Sequence, residues 1–340
     1  MRHHRSITLW MASLLLIQLA GCAKEGLPPF TPPGPLPLPG EFVIGTAMKG
    51  AVLFAAYGGG RTNDALVTPV SGVSVNSKFR LYAAGPPAPA YKYIQTVNGY
   101  FLMAPDGGGR TTSDAIVTDL HQYPYGVYTD IAKFRFVMHL TAPTLGVGAG
   151  VYTIQTINGN FVTAVGGGGQ LTNAIHTDAK TAQSWEYFNV SKCGDLGSGF
   201  TYAIKSSVGA YLSAPGGGGG TQGGIKMGDI DDSARFTLIR QADGTYALRT
   251  SNGINYVTAV GGGGRDYAID SNFHGDATQV QAWEKFRIVD EGRCIYTIQT
   301  VSGGFVGTSL GDVSYIATNL SPPSNPGGSS GFWLLYMFDL

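Results

Sequence analysis

The sequence predicts an all-β protein built from six copies of one four-stranded unit. Three observations carry this. Glycine supplies 51 of the 340 residues, about twice the ~7% usual in soluble proteins, and each glycine inside a helix costs ~1 kcal/mol against alanine. No long window shows a helical period; apolar and polar residues alternate instead. One short pattern recurs with its closing glycine at positions 50, 99, 159, 209, 253 and 303, a period of about fifty residues that marks a repeat protein. Composition excludes other classes. Hydrophobic residues at 43% are too many for a disordered chain. Basic and acidic residues number 22 each, so no electrostatic footprint for nucleic acid exists.

The chain opens with a segment that stands apart from the repeats. Arg2 and Arg5 precede the uncharged run Ile7 to Ala20, too short to span a hydrocarbon core of ~30 Å comfortably and typical of a signal peptide. The run ends Leu19-Ala20-Gly21-Cys22, which resembles the lipobox of bacterial lipoproteins. That resemblance implies a signal peptide over 1–21, cleavage before Cys22 and a lipid on Cys22. The next residue is Ala23 and not Asp, which by the same resemblance favours the outer membrane. Residues 22–41 hold seven of the 18 prolines and read as an extended polyproline II spacer, since proline fixes φ and removes backbone donors. No other stretch is long and apolar enough to cross a bilayer, so the expectation is a protein tethered to the membrane by lipid.

Each unit then reads as four strands. The first alternates, as in Tyr152-Thr-Ile-Gln-Thr-Ile-Asn-Gly159 and Tyr296-Thr-Ile-Gln-Thr-Val-Ser-Gly303, and Asn-Gly supplies a hairpin turn because both residues tolerate positive φ. A short second strand follows, such as Phe161-Val-Thr-Ala164. Glycine runs come next at 58–60, 107–109, 166–169, 216–220 and 261–264; these read as tight, mobile hairpin loops. The third strand is short, as in Asp64-Ala-Leu-Val-Thr68 and Asp114-Ala-Ile-Val-Thr118. The fourth is aromatic: Lys78-Phe-Arg-Leu81, Lys133-Phe-Arg-Phe136, Trp185-Glu-Tyr-Phe188, Arg235-Phe-Thr-Leu238, Trp283-Glu-Lys-Phe286 and Phe332-Trp333.

Four strands per unit fit either one six-bladed β-propeller or two tandem β-trefoils of three units each. The Asn-Gly turn, the following aromatic strand ending in Ala, the glycine run and the closing Trp-Glu-x-Phe resemble the fascin-like domains of the actin-cross-linking β-trefoil superfamily. The likeness covers all six units in outline and the second, third and fifth well. The first lacks Asn-Gly, and the sixth replaces its glycine run with Thr308-Ser-Leu-Gly-Asp-Val313. The resemblance implies two trefoils, 42–193 and 200–340, with the Gly-rich 194–199 as a flexible connection between them.

Candidate chemistry is sparse. Gly307-Thr308-Ser309-Leu310-Gly311 matches a nucleophile elbow in letters, but that motif needs a strand-to-helix turn in an α/β sheet. The glycine runs lack the Lys-Ser/Thr and helix of a phosphate loop. The remaining histidines are scattered, and Asp229, Asp231 and Asp232 lack calcium-loop spacing, so neither a metal nor a cofactor is expected. Gln-x-Trp at Trp185 and Trp283 resembles the core motif of ricin-type trefoils, which implies that both indoles are interior. Cys193 and Cys294 are exported with the chain and can form a disulfide, although sequence cannot supply the Cα separation that decides it.

One recurrence points to a ligand. Arg61 and Asp64, Arg110 and Asp114, and Arg265 and Asp266 flank the glycine loops of three units. Such groups hydrogen-bond hydroxyls, and Tyr57, Tyr100 or Tyr267 could stack on a sugar ring; an exposed ion pair within the loop is the competing account, worth ~0–1 kcal/mol. Non-identical copies of a small unit suit multivalent display better than one catalytic cleft. Bacterial fascin-like trefoils accompany carbohydrate-active enzymes, so the resemblance implies a non-catalytic, surface-anchored polysaccharide-binding protein. Adhesion to a surface protein, or filament bundling, is the alternative it implies.

Overall fold

The computed structural model describes residues 38, 40–70, 72–84, 91–121, 124, 128–141, 150–206, 209–219, 224–264, 273–292, 294–309, 312–321 and 331–336. Cys22, the signal segment and almost all of the spacer lie outside the described residues, as do Arg265, Asp266 and Tyr267.

The six units appear as six sets of four strands. The first is β1 (Glu41–Thr46), β2 (Phe54–Ala55), β3 (Leu66–Val67) and β4 (Lys78–Ala83). The second is β5 (Tyr91–Thr96), β6 (Phe101–Met103), β7 (Val117–Leu120) and β8 (Phe134–His139). The third is β9 (Val151–Thr156), β10 (Phe161–Ala164), β11 (Ile175–Ala179) and β12 (Tyr187–Cys193). The fourth is β13 (Phe200–Ser206), β14 (Tyr211–Ser213), β15 (Lys226–Gly228) and β16 (Arg235–Arg240). The fifth is β17 (Tyr246–Arg249), β18 (Tyr256–Ala259), β19 (Phe273–Ala277) and β20 (Arg287–Asp290). The sixth is β21 (Tyr296–Gln299), β22 (Phe305–Ser309), β23 (Asp312–Leu320) and β24 (Gly331–Tyr336).

Strand pairing decides between the two architectures. The outer strands of the first three units form a closed ring, β1–β4–β5–β8–β9–β12. The ring shuts where β1 runs antiparallel to β12, from Glu41↔Cys193 to Thr46↔Phe188. The last three units repeat this as β13–β16–β17, the bridge Tyr246↔Phe286 just before β20, then β20–β21–β24. Here β24 returns to β13 over Tyr202↔Tyr336 to Ser206↔Phe332. The inner strands form hairpins outside the rings, such as β2–β3 and β10–β11. A ring that closes after three units is a β-trefoil. Six propeller blades would not pair β1 with β12.

The repeated positions fill the cores. Each unit contributes one fully buried phenylalanine from its closing strand or, in the fifth, from the residue just before it: Phe79, Phe134, Phe188, Phe236, Phe286 and Phe332. Each first strand contributes a buried aliphatic residue: Ile44, Ile94, Ile154, Ile204, Leu248 and Ile298. Removing a buried ring of this kind costs ~3–5 kcal/mol. The alternation read in the sequence therefore selects the face that points inward.

The connection between the rings is pinned and does not behave as a free linker. Cys193 and Cys294 form a disulfide, with Cα atoms 4.4 Å apart. The Tyr296 hydroxyl donates to the Gly194 carbonyl at 3.0 Å, and Gly194 N–H donates to Asp290 at 3.0 Å. The buried Tyr202 hydroxyl donates to the Leu196 carbonyl. Gly199 N–H reaches the Leu238 carbonyl at 2.7 Å. Buried apolar residues run without a break from one ring to the other.

Candidate functional site

The glycine runs are packed contacts between units, which corrects their reading as mobile loops. Each overlaps the end of a short 3-10 turn whose second residue is left-handed: Tyr57, Asp106, Gly166, Gly216 and Gly261. The run then lies on the hairpin turn of the next unit. A Cβ on Gly108, at φ 99°, would stand 2.6 Å from Thr156 Oγ1, and one on Gly168 would stand 2.8 Å from Ala51 Cβ. Only glycine permits that approach.

Backbone bonds lock these approaches into a circuit. Gly60 N–H donates to Thr118 O at 2.8 Å, and Thr118 N–H donates back to Arg61 O at 2.8 Å. Gly109 and Arg110 make the same exchange with Thr177, and Gly169 and Gln170 with Thr68. Unit one thus grips unit two, two grips three, and three grips one. The threonine hydroxyls accept second bonds from Arg61, Arg110 and Gln170 N–H groups.

This circuit gathers the loop residues of all three units at one end of the first ring. Asp64 N–H donates to the Ser113 carbonyl at 2.8 Å, and Asn173 N–H donates to Asp64 Oδ1 at 2.6 Å. Asn63 and Ser113 meet at 3.2 Å. Arg110 bridges the carboxylates of Asp106 and Asp114. The Asp106 contact holds the guanidinium pKa above its usual value. The Thr112 hydroxyl, with help from Arg110, holds the Asp114 carboxyl below its usual range.

The predicted pairs are thus realised unequally. Arg110 and Asp114 do pair. Arg61 instead donates to the Asn63 carbonyl at 3.0 Å, and its guanidinium lies 5.1 Å from the centre of the Tyr57 ring. Tyr57 is 83% exposed and sits at φ 56°. Tyr100 is no platform. It is half-buried, meets His121 edge-on at 4.8 Å and carries Gly59 and Gly60 on its ring.

Two further expectations change. Trp185 and Trp283 are not core: they are 43% and 48% exposed. Their neighbours explain why. Glu186 and Glu284 are the buried members of each turn, accepting the Gln183 and Gln281 N–H groups at 2.7 and 2.8 Å. Glu284 also accepts from the Thr258 hydroxyl at 2.7 Å. With the glutamate and the following phenylalanine turned inward, the indole is left facing out. The legible signal was Gln-x-x-Glu, a capping-box spacing. Asp231, in turn, caps a turn by accepting from Ser233 N–H at 2.8 Å. Ser309 ends strand β22 and has no nucleophile-elbow setting. Among the described residues no three His, Cys, Asp or Glu side chains converge as a metal site.

No family model and no curated protein matches the chain. Solved structures do resemble it. The designed three-fold symmetric protein ThreeFoil is 15% identical at a TM-score of 0.36, covering 40% of this chain and 99% of its own. A Polyporus squamosus lectin, solved with a human-type influenza-binding epitope, is 16% identical at 0.34, covering 41% and 50%. A mosquitocidal holotoxin is 10% identical at 0.36; the match covers 87% of this chain and 34% of the toxin. The trefoil assignment stands on the strand pairing.

Proposed function

We propose that this chain is a non-catalytic, lipid-anchored bacterial surface protein that binds polysaccharide, with one binding region at the capped end of the first ring. The observation that carries the reading is Tyr57. A bulky residue in the left-handed region is strained, and its counterparts are glycine at 166, 216 and 261 and the small, left-handed-tolerant Asp106 in the second unit. Its ring is exposed and backed by the Arg61 guanidinium, so a sugar face can stack on it while Asn63, whose carbonyl holds Arg61, and Ser113 beside it offer amide and hydroxyl groups. Strain of this kind collects where function requires it. Cys22 and the proline-rich spacer would hold the trefoils away from the outer membrane.

The test is a glycan array probed with the whole protein, beside its Tyr57→Ala variant. Retention by neutral polysaccharides that falls about tenfold in the variant, ~1.4 kcal/mol, is expected. A blank array, or equal retention by both proteins, overturns the reading.

A further inference from the structure

The exposed indoles stand in a recurring place. At each junction the glycine run of one unit has on one side the turn before that unit's closing strand, and on the other the hairpin turn of the next unit. Across Gly58 these sides are Asn76 and Asn98. Across Gly217 they are Ser233 and Asn252, which line one cleft together with Ser251 and Asp231. Across Gly262 they are Trp283 and Val301: a Cβ on that glycine would lie 2.9 Å from Val301 Cγ1 and 3.7 Å from Trp283 Nε1. Ser302 N–H donates to Gly262 O at 3.0 Å and fixes the junction. Across Gly167 the near neighbour is Met48, and the Val165–Gly167 turn packs against the turn that carries Trp185.

Polar side chains fill two of these junctions, so the fold does not demand tryptophan there. The two indoles are also half-exposed, as are Met48 and Val301. They are surplus to packing. The cleft beside Trp283 measures about 380 Å³ and is lined by Thr278, Gln279, Gln281 and Glu284, within the range of small-ligand pockets. The Glu284 carboxylate is already held by Gln281 N–H and Thr258. What the cleft offers is therefore an aromatic surface, a hydroxyl, amides and a carboxylate edge whose oxygens already accept two hydrogen bonds, with no cation to attract an acidic ligand. That chemistry fits an uncharged ring rich in hydroxyls.

We infer that the exposed indoles of Trp185 and Trp283, the latter in its cleft, each stack one neutral sugar ring, giving one such site per trefoil, separate from the loop cluster at Tyr57. The inference rests on the polysaccharide reading for its ligand class. Two sites on one chain would let it hold a polymer at two points, raising avidity without new contacts.

The test uses wild-type protein and residue-specific oxidation of indoles by N-bromosuccinimide. Peptides containing Trp185 and Trp283 are read by mass spectrometry with and without cello-, xylo-, manno- or maltotetraose. At least one tetrasaccharide should slow oxidation of both indoles several-fold, and the protection should persist in Tyr57→Ala. Trp185→Ala with Trp283→Ala should keep the fold and weaken binding of that tetrasaccharide about tenfold, ~1.4 kcal/mol. Array retention that depends on Tyr57, without indole protection, overturns the clefts and leaves the polysaccharide reading standing. A blank array with no protection overturns both. Undiminished tetrasaccharide binding by the folded double alanine variant also overturns the clefts.

Discussion

At the scale of single residues, the informative positions are those that break the repeat. Tyr57 takes φ 56° and ψ 20° where the third, fourth and fifth units place glycine. The left-handed region costs a non-glycine residue roughly 1–2 kcal/mol, and an exposed ring recovers little of that by burial. Tyr57→Gly should therefore raise stability in urea by about 1 kcal/mol while lowering retention on neutral polysaccharide. A loss of stability would show that the ring packs more than it binds. The tryptophans teach a related lesson. Trp and Phe both read as core letters in the sequence, but a four-residue turn has room for only some of its side chains inside. Phe188 and Phe286 are fully buried, and Glu186 and Glu284 take the second interior place. Which aromatic residue loses that competition depends on the turn geometry and not on hydrophobicity.

At the scale of elements, the glycine runs explain how unlike units still assemble. Their period was legible in the sequence, and so were the strands that flank them, because both are local. Their partner was not. A run of glycines states that the backbone needs freedom or closeness, and local sequence does not separate the two. The approach of Gly168 to Thr46 and Ala51 spans more than a hundred residues of chain, which a single sequence does not display. The same distance hid the meeting of Asp64 with Asn173. Two substitutions separate freedom from closeness. Gly159 has φ 78° and nothing within 4 Å of a built Cβ, so Gly159→Ala should cost only the left-handed strain, ~1–2 kcal/mol. A Cβ on Gly168, at φ 103°, would in addition stand 2.8 and 3.0 Å from Ala51 and Thr46, so Gly168→Ala should cost ~3 kcal/mol or more. Equal losses in urea unfolding would mean that the run serves backbone freedom alone.

At the scale of the whole molecule, the joint between the rings concentrates what the repeats do not supply. The disulfide lies there, and beside it is Lys192, a residue with no exposed surface. Its ammonium donates to the Cys193 carbonyl at 2.7 Å and to the Asp195 carbonyl, and lies 5.5 Å from the centre of the Phe42 ring. Burial pushes its pKa down to about 8, against the pull of Asp195, Glu41 and Asp290. In the unfolded chain it returns to the ordinary 10.5. Between those values the unfolded chain holds a proton that the folded one has released. Unfolding then takes up protons, so stability rises with pH across this window, by at most about 1.4 kcal/mol per unit. The opposing groups are Tyr211, Tyr246 and Tyr296, whose burial raises their pKa above that of a free tyrosine. A raised acid of this type loses stability above pH ~10, because the unfolded phenol ionises first. Urea unfolding at several pH values should therefore show stability climbing from pH ~8 to ~10 and then falling. In Lys192→Met the climb should shrink while the fall remains; what is left of it belongs to Lys205, whose burial also holds its ammonium below the ordinary lysine range. The absolute stability of that variant is a poor guide, since two buried carbonyls lose their donor; the slope is the readout. A wild-type curve that is flat or falls across the same window would place the Lys192 proton in both states and remove its cost from the joint.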